Sequence, residues 1–421
     1  MKRKLAVLMV LILCLSLLAA CADTTTPTTT PATTPATSGT GSSSAPPSAS
    51  GPEVYTVGAL LNVTGWFAMQ DSAESQGLQA MAAIINEDGG IWVGGKNYII
   101  EIDLVDGQSE ATGIRNGAQI LANHGIDYSI VGNCFFIEGS MDVFHDNKIM
   151  TMMDMNSMNF EVLNPKWPYS FWFNNGAAQW LVSSMEVLKT HYPEVKSIVH
   201  ANNDDGNNAQ MAAFIRQLAE QNGLEYIDSP VYFDPNITDY SGVALQIIRT
   251  GADAMTGNYP PDKGAGMLKE LRNAGSDMVF AMLTNNSAQM FQEMAGVDVG
   301  WNFFTFAPEQ TQENSPPLYW RLFNKLKEMF GEESARNLSP CAATSLYVWS
   351  QLVQGADSLE IDDVIAYWDT KPALDTVNGP GVIGGRELYG IDRVLSAQNP
   401  LSIAEPNGVV RFGGWFDSYV N

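Results

Sequence analysis

In two series along this chain, short β-branched or apolar runs lead into segments with helical apolar spacing, and the second series starts afresh after Trp180. That alternation constrains the fold more than any other feature, because parallel strands need a covering crossover and so form layered α/β sheets. The first series opens at Tyr55-Thr-Val-Gly-Ala-Leu-Leu-Asn62, which reads as a buried strand. Ser72 to Glu87 follows as a helix, with Leu78, Met81, Ala82 and Ile85 on one face and a stop at Gly89-Gly90. A strand over Tyr98 to Val105, a helix over Ala111 to Ala122 and a strand over Tyr128 to Val131 continue the series. In the second series, strands are predicted at Ser197 to His200, Tyr226 to Tyr232, Ala254 to Thr256 and Met278 to Ala281. Helices are predicted at Ala209 to Gln221, Ser241 to Arg249 and Met267 to Asn273.

The expected fold is α/β, with two Rossmann-like lobes rather than one large sheet. The body from Glu53 onward is long for one core and natural for two. The aromatic runs Tyr169 to Phe173 and Phe303 to Phe306 fall where such lobes would exchange chain, and a third passage is expected near Leu395. On this plan residues 53–173 with 308–394 form the first lobe, and 174–307 with 395–421 the second.

The amino end has a different character. Basic Lys2, Arg3 and Lys4 precede an apolar run from Leu5 to Leu18, which is the profile of a secretory signal and too short to span a bilayer comfortably. Leu18-Ala19-Ala20-Cys21 resembles the lipobox of bacterial lipoproteins. The resemblance implies loss of residues 1–20 and acylation of Cys21. Residues from Ala22 to Pro52 are nearly all Thr, Ser, Pro, Ala and Gly, a composition expected to give an extended tether. The protein is therefore expected outside the cytoplasm, on the outer face of the cell membrane and touching it through lipid alone. A formal charge of −24, more acidic still without Lys2, Arg3 and Lys4, argues against nucleic acid and anionic lipid surfaces as partners. The body is expected to be a monomer.

Catalytic chemistry is not indicated. Gly379-Pro-Gly381-Val-Ile-Gly384 fits the letters of a dinucleotide loop, but Pro380 lies inside it and no strand or helix flanks it. Cys134 has no histidine near in sequence to activate it, and His124, His145, His191 and His200 lack ligand spacing. No cofactor and no metal are expected, and Cys134 and Cys341 are predicted to be free thiols. Candidate binding residues lie instead in loops after predicted strands, where open α/β sheets take ligands. They are Trp66, Phe67, Phe135, Phe136, Met155, Asn156 and Ser157 in the first lobe, and Asp205, Tyr259, Thr284 and Asn285 in the second. Phe135 and Phe136 either wall a ligand cleft or fold back onto their own lobe.

Several of these segments resemble the branched-chain-amino-acid type of periplasmic binding protein, a two-lobed type I fold with an open and a closed form that supplies ABC permeases. The similar segments are Val57 to Gly65, Ile85-Asn86 with Gly89-Gly90-Ile91, Gly95-Lys96, Asp106-Gly-Gln-Ser109, Asp239-Tyr240-Ser241 and Gly251-Ala-Asp-Ala254. The resemblance spans most of Glu53 to about Ala356 and implies a binding protein rather than an enzyme. It implies that Ser157 takes a ligand carboxylate. Phe135-Phe136 stands where a serine-rich loop is expected, Asp205 and Tyr259 fall on the two second-lobe tyrosine loops, and Thr284 or Asn285 replaces an acidic residue facing an ammonium. These departures argue against an ordinary aliphatic amino acid and favour a larger apolar or aromatic ligand, so the expected ligand class is a small amino-acid-like or an aromatic or apolar carboxylate. A ligand-sensing receptor component of the same fold is the alternative.

Overall fold

A computed structural model of the chain describes residues 51–132, 137–154, 162–204, 208–308 and 311–419. Its first stretch runs β1 (Glu53–Leu61), α1 (Ala68–Glu87), β2 (Ile91–Val93), β3 (Lys96–Asp106), α2 (Ala111–Asn123), β4 (Tyr128–Val131), α3 (Met141–Asp146), β5 (Met150–Met153) and β6 (Ser170–Trp172). The second runs α4 (Ala177–His191), β7 (Ser197–Asn203), α5 (Asn208–Gln221), β8 (Glu225–Tyr226), β9 (Val231–Phe233), α6 (Ser241–Arg249), β10 (Ala254–Gly257), α7 (Pro261–Asn273), β11 (Val279–Met282), α8 (Ala288–Ala295) and β12 (Phe303–Thr305). The last holds α9 (Pro317–Phe330), α10 (Glu332–Arg336), α11 (Cys341–Ala356), α12 (Ile361–Asp369), β13 (Leu374–Thr376), β14 (Gly379–Gly384), α13 (Arg386–Tyr389), β15 (Val394–Ala397), β16 (Asn399–Ala404) and β17 (Val410–Phe416).

These strands make two sheets, ordered β13-β14-β15-β6-β5-β4-β1-β3-β2 and β17-β16-β12-β11-β10-β7-β8, with β9 paired to β7. The central strands are parallel: β3, β1, β4, β5 and β6 in the first sheet, and β7, β10, β11 and β12 in the second. Antiparallel pairs close both margins of the first sheet and the β17 margin of the second, whose other margin, β8, runs parallel to β7. Every residue of β4, β5, β7, β10, β11 and β12 is buried, as a parallel sheet covered by helices on both faces requires. The chain leaves one sheet for the other three times: between β6 and β7, between β12 and β13, and between β15 and β16.

Three elements differ from the sequence expectation, each for a local reason. The first helix begins at Ala68 rather than Ser72, on a turn where the Ser109 hydroxyl accepts from Phe67 N at 3.2 Å. The strand expected over Tyr226 to Tyr232 is two short strands, because Asp228-Ser229-Pro230 interrupts the ladder. Helix α7 begins at Pro261, six residues before the expected Met267, since proline at the first helical position gives up only an N–H that would have no partner there. Gly379 to Gly384, rejected as a dinucleotide loop, is strand β14.

Helix α1 anchors the first lobe. Leu78, Met81, Ile84 and Ile85 are buried, and the helix packs on β1 and β3 and against α9 and α11. At its far end Arg321 of α9 pairs with Asp88 at 2.7 Å and Lys325 with Glu87 at 2.7 Å. Both pairs are exposed enough to contribute little.

Candidate functional site

The buried face of α1 carries two carboxylic acids. Asp71 and Glu74 are fully buried, in step with the stripe that carries Leu78 and Met81. The Asp71 carboxylate accepts from Asn62 N at 2.6 Å, just past the end of β1. A Cβ built on Gly132, after β4, would lie 3.1 Å from Asp71 Oδ2 and 3.3 Å from Asp154 Oδ2, so these two carboxylates flank the ends of β4 and β5. A side chain at Gly132 would also meet Leu61 at 2.4 Å, so the close approach of the acids requires glycine there.

Glu74 faces the start of α11. Its Oε2 accepts from Ala342 N at 2.7 Å, and its Oε1 is bonded to the Ser339 hydroxyl and to Gln70 Nε2, the latter at 3.2 Å. Gln70 Nε2 also donates to Ser339 Oγ at 2.8 Å. From the other sheet, Asn285, in the turn after β11, enters the same cluster. Its Nδ2 donates to Cys341 Sγ at 2.7 Å, and its Oδ1 lies 3.2 Å from Ser339 Oγ. Helix α11 packs on β4, β5 and α1, so this contact joins the two lobes. Cys341 is a free, buried thiol. Along the rim, two openings of about 600 and 280 Å³ lie between α1 and α10 on one side and α7 and α8 on the other; Met69 and Met290 line both.

The strand ends of two α/β lobes thus share one buried polar floor. A family model described as periplasmic binding protein matches residues 54–389, most of the chain. The chain belongs to the periplasmic binding protein family. Among solved structures, a branched-chain amino acid transporter substrate-binding protein from Streptococcus pneumoniae, in complex with isoleucine, matches with a TM-score of 0.68 at 14% identity, covering 87% of this chain and 99% of that one. A solute-binding protein from Rhodopseudomonas palustris in complex with 4-hydroxybenzoate matches with a TM-score of 0.67 at 16% identity, covering 87% and 97%. A fatty acid ABC transporter substrate-binding protein from Thermomonospora curvata matches with a TM-score of 0.66 at 14% identity, covering 88% and 94%. At these identities the likeness is one of fold.

In this periplasmic binding protein the sequence-expected residues divide into three groups. Cys21, Phe135, Phe136, Met155, Asn156, Ser157 and Asp205 lie outside the described residues, as does Cys134. Asn285 sits in the shared floor, with Thr284 beside it donating to Asn286 Oδ1 at 2.7 Å. Trp66, Phe67 and Tyr259 are taken up within the lobes. Trp66 donates from Nε1 to Ser109 O at 3.2 Å and meets Phe67 edge-on, and Phe67 is buried in the core. Tyr259 stacks on Phe233 at 5.8 Å, and its hydroxyl donates to Ala201 O inside the second lobe. Burial pushes that phenol well above its ordinary range.

Burial also dominates the floor's electrostatics. It raises Asp71 to about 7 against the opposing bond from Asn62 N, with the Glu74 charge adding to the rise. Glu74 is likewise raised to about 7 by burial, although Ala342 N, Ser339, Gln70 and Cys341 all favour its ionised form. Cys341 is pushed well above the usual thiol range by burial and by the Glu74 and Asp154 charges, so it stays neutral. Among the described residues no group of three or more His, Cys, Asp or Glu is placed to hold a metal ion. No described helix is long and apolar enough to cross a membrane.

The sequence expectation did not include Asp71, Glu74, Asp154, Ser339 or Cys341 as floor residues. For Glu74 a signal was present: it stands four and seven residues before Leu78 and Met81, so a helix that buries them buries the acid too. No comparable spacing marks Ser339 or Cys341, which come to the site only through the packing of α11 on α1.

Proposed function

We propose that this periplasmic binding protein is the solute-binding lipoprotein of an ABC importer. It is held at the outer face of the membrane by acyl chains on Cys21 and closes two lobes on a small amino-acid-like or aromatic carboxylate ligand for delivery to a permease. The observation that carries this reading is the reach of Asn285 from the second sheet to Ser339 and Cys341 on the first. A polar floor shared by both lobes is what a hinged cleft needs, since only contacts made in the closed form drive closure. The family of extracytoplasmic binding proteins to which the chain belongs supports the same reading. Relatives of this fold crystallised with isoleucine and with 4-hydroxybenzoate show that it accommodates both ligand types.

Acidic Asp71 and Asp154 in the floor favour a ligand whose donor-bearing end points inward, with its carboxylate directed to Ser157. Phe135 and Phe136, which follow β4 in the chain, are proposed as the apolar wall. Tyr259 backs the second-lobe side from within its core.

A thermal-shift screen of amino acids and aromatic carboxylates is the direct test. With a ligand in hand, Phe135→Ala and Phe136→Ala should each weaken it by roughly 2 kcal/mol, about thirtyfold, and leave the ligand-free melting temperature unchanged. Ser157→Ala should cost about 1.5–3 kcal/mol if the group it binds is charged and about 0.5–1.5 if neutral. Normal binding by both Phe variants, with early melting, would mean the phenylalanines are core. Cys21→Ala should move the protein from the membrane fraction to the soluble one, because two or more acyl chains supply the anchoring. Retention at the membrane would remove the lipoprotein reading.

A further inference from the structure

We propose that Glu74 is a proton-dependent latch on lobe closure: protonated, it frees Ser339 to hold Asn285 across the cleft, and ionised, it takes that hydrogen for itself. The proposal rests on the reading that the two lobes open and close, but not on the ligand's identity.

The geometry reduces to counting donors around one hydroxyl. Ser339 Oγ has a single hydrogen and two lone pairs. Three groups surround it: Gln70 Nε2 at 2.8 Å, which can only donate, the Glu74 carboxyl, and Asn285 Oδ1 at 3.2 Å, which can only accept. With Glu74 ionised, the hydroxyl gives its hydrogen to the carboxylate, the stronger acceptor, and Asn285 Oδ1 has no donor from Ser339. With Glu74 protonated, the carboxyl becomes the donor. Ser339 then accepts from Gln70 and Glu74 and turns its own hydrogen to Asn285. All three partners are satisfied at once, and the Ser339–Asn285 bond, which adds to the Asn285–Cys341 bond across the lobes, is made only in this state. Glu74 Oε2 keeps its bond from Ala342 N in both.

The surroundings put the switch in a usable range. Burial raises the Glu74 carboxyl well above the ordinary carboxylate range. Asp71, on the same helix, feels the Glu74 charge, and Asp106 at the end of β3 acts on Asp71 in turn. From α11, Cys341 stays a thiol, and Asp154 after β5 completes the acidic set. The cations of α9, Arg321 and Lys325, are engaged with Asp88 and Glu87 at the other end of α1. Helix α10 places Glu332, Glu333 and Arg336 at the open rim with Met69, and α7 carries Asp262 and Lys263.

The test needs no ligand. Spin labels attached through keto-bearing residues introduced at positions 293 and 333, on opposite sides of the rim, leave the native cysteines intact and report the inter-lobe distance. In the mature chain the ratio of closed to open populations should rise as pH falls from 8.5 to 6, by at most about tenfold per pH unit for a one-proton event. Glu74→Gln, whose amide donates to Ser339 and whose carbonyl accepts from Ala342 N, should give the acid-side distribution at every pH. Asp71→Asn should shift the midpoint to lower pH and keep the response. Should Glu74→Gln fail to fold, Ser339→Ala should fold and show no pH response. A wild-type distribution that is the same at pH 6 and 8.5, or a Glu74→Gln or Ser339→Ala protein with the wild-type response, overturns the latch. Neither result bears on whether a screened ligand binds.

Discussion

Arg272→Ala should destabilise the folded body by about 3–5 kcal/mol, read as a lowered urea midpoint at unchanged slope. Arg272, on α7, is only 7% exposed and donates to four backbone carbonyls, those of Ser276, Met278, Trp301 and Asn302, at 2.9–3.1 Å. Its guanidinium also lies 4.4 Å from the Trp301 ring centroid. Burial lowers its pKa to about 10, so it remains charged at neutral pH. Removing it strips the donors from carbonyls that fix the chain around β11 and β12, and each buried bond to a charged group contributes about 1.5–3 kcal/mol. Arg272→Lys should recover only part of the loss, because one ammonium replaces a planar fork. A loss below about 1 kcal/mol for the alanine variant would show that water takes over the carbonyls.

Glu74→Gln should gain on the wild type in unfolding free energy as pH rises from 5 to 8, at a slope of at most about 1.4 kcal/mol per pH unit for the one proton involved. The folded value of about 7 lies above the ordinary 4.5, so over that range the native state holds a proton that the unfolded chain has released. The stability tied to that proton is complete below about 4.5 and is lost as pH rises through about 7. Glutamine has no such proton to lose. His200, fully buried and lowered to about 4, changes stability in the opposite sense between pH 4 and 6.5. It does so in both proteins and drops out of the difference. A gap that stays constant with pH would mean Glu74 is ionised throughout.

Much of the fold was legible because parallel sheets leave a strong trace. Runs such as Tyr128 to Val131 and Ala254 to Thr256 are apolar on both faces, and the helices between them carry a one-sided stripe. The stretch between Phe306 and Leu395 was not legible at this level. There α9, α11 and α12 follow one another without intervening strands, so no alternation of period marks their ends. The candidate site was legible only where it sits at strand ends, as with Asn285. The floor also depends on Ser339 and Cys341, 54 and 56 positions further along the chain, and their approach is a product of helix packing that no short motif encodes.

The three passages between sheets set how the chain can acquire its structure. Strand β15 adds to β6 through Val394 and Trp172, and Asn175 bonds to Ala397, 222 positions away. Strand β16 then completes the second sheet beside β12. Neither sheet can be finished by a contiguous stretch of chain, and both wait for the last segment to be synthesised. High contact order of this kind slows folding. A chain exported amino end first would thus cross the membrane with both sheets incomplete and fold only when its carboxyl end arrives on the far side.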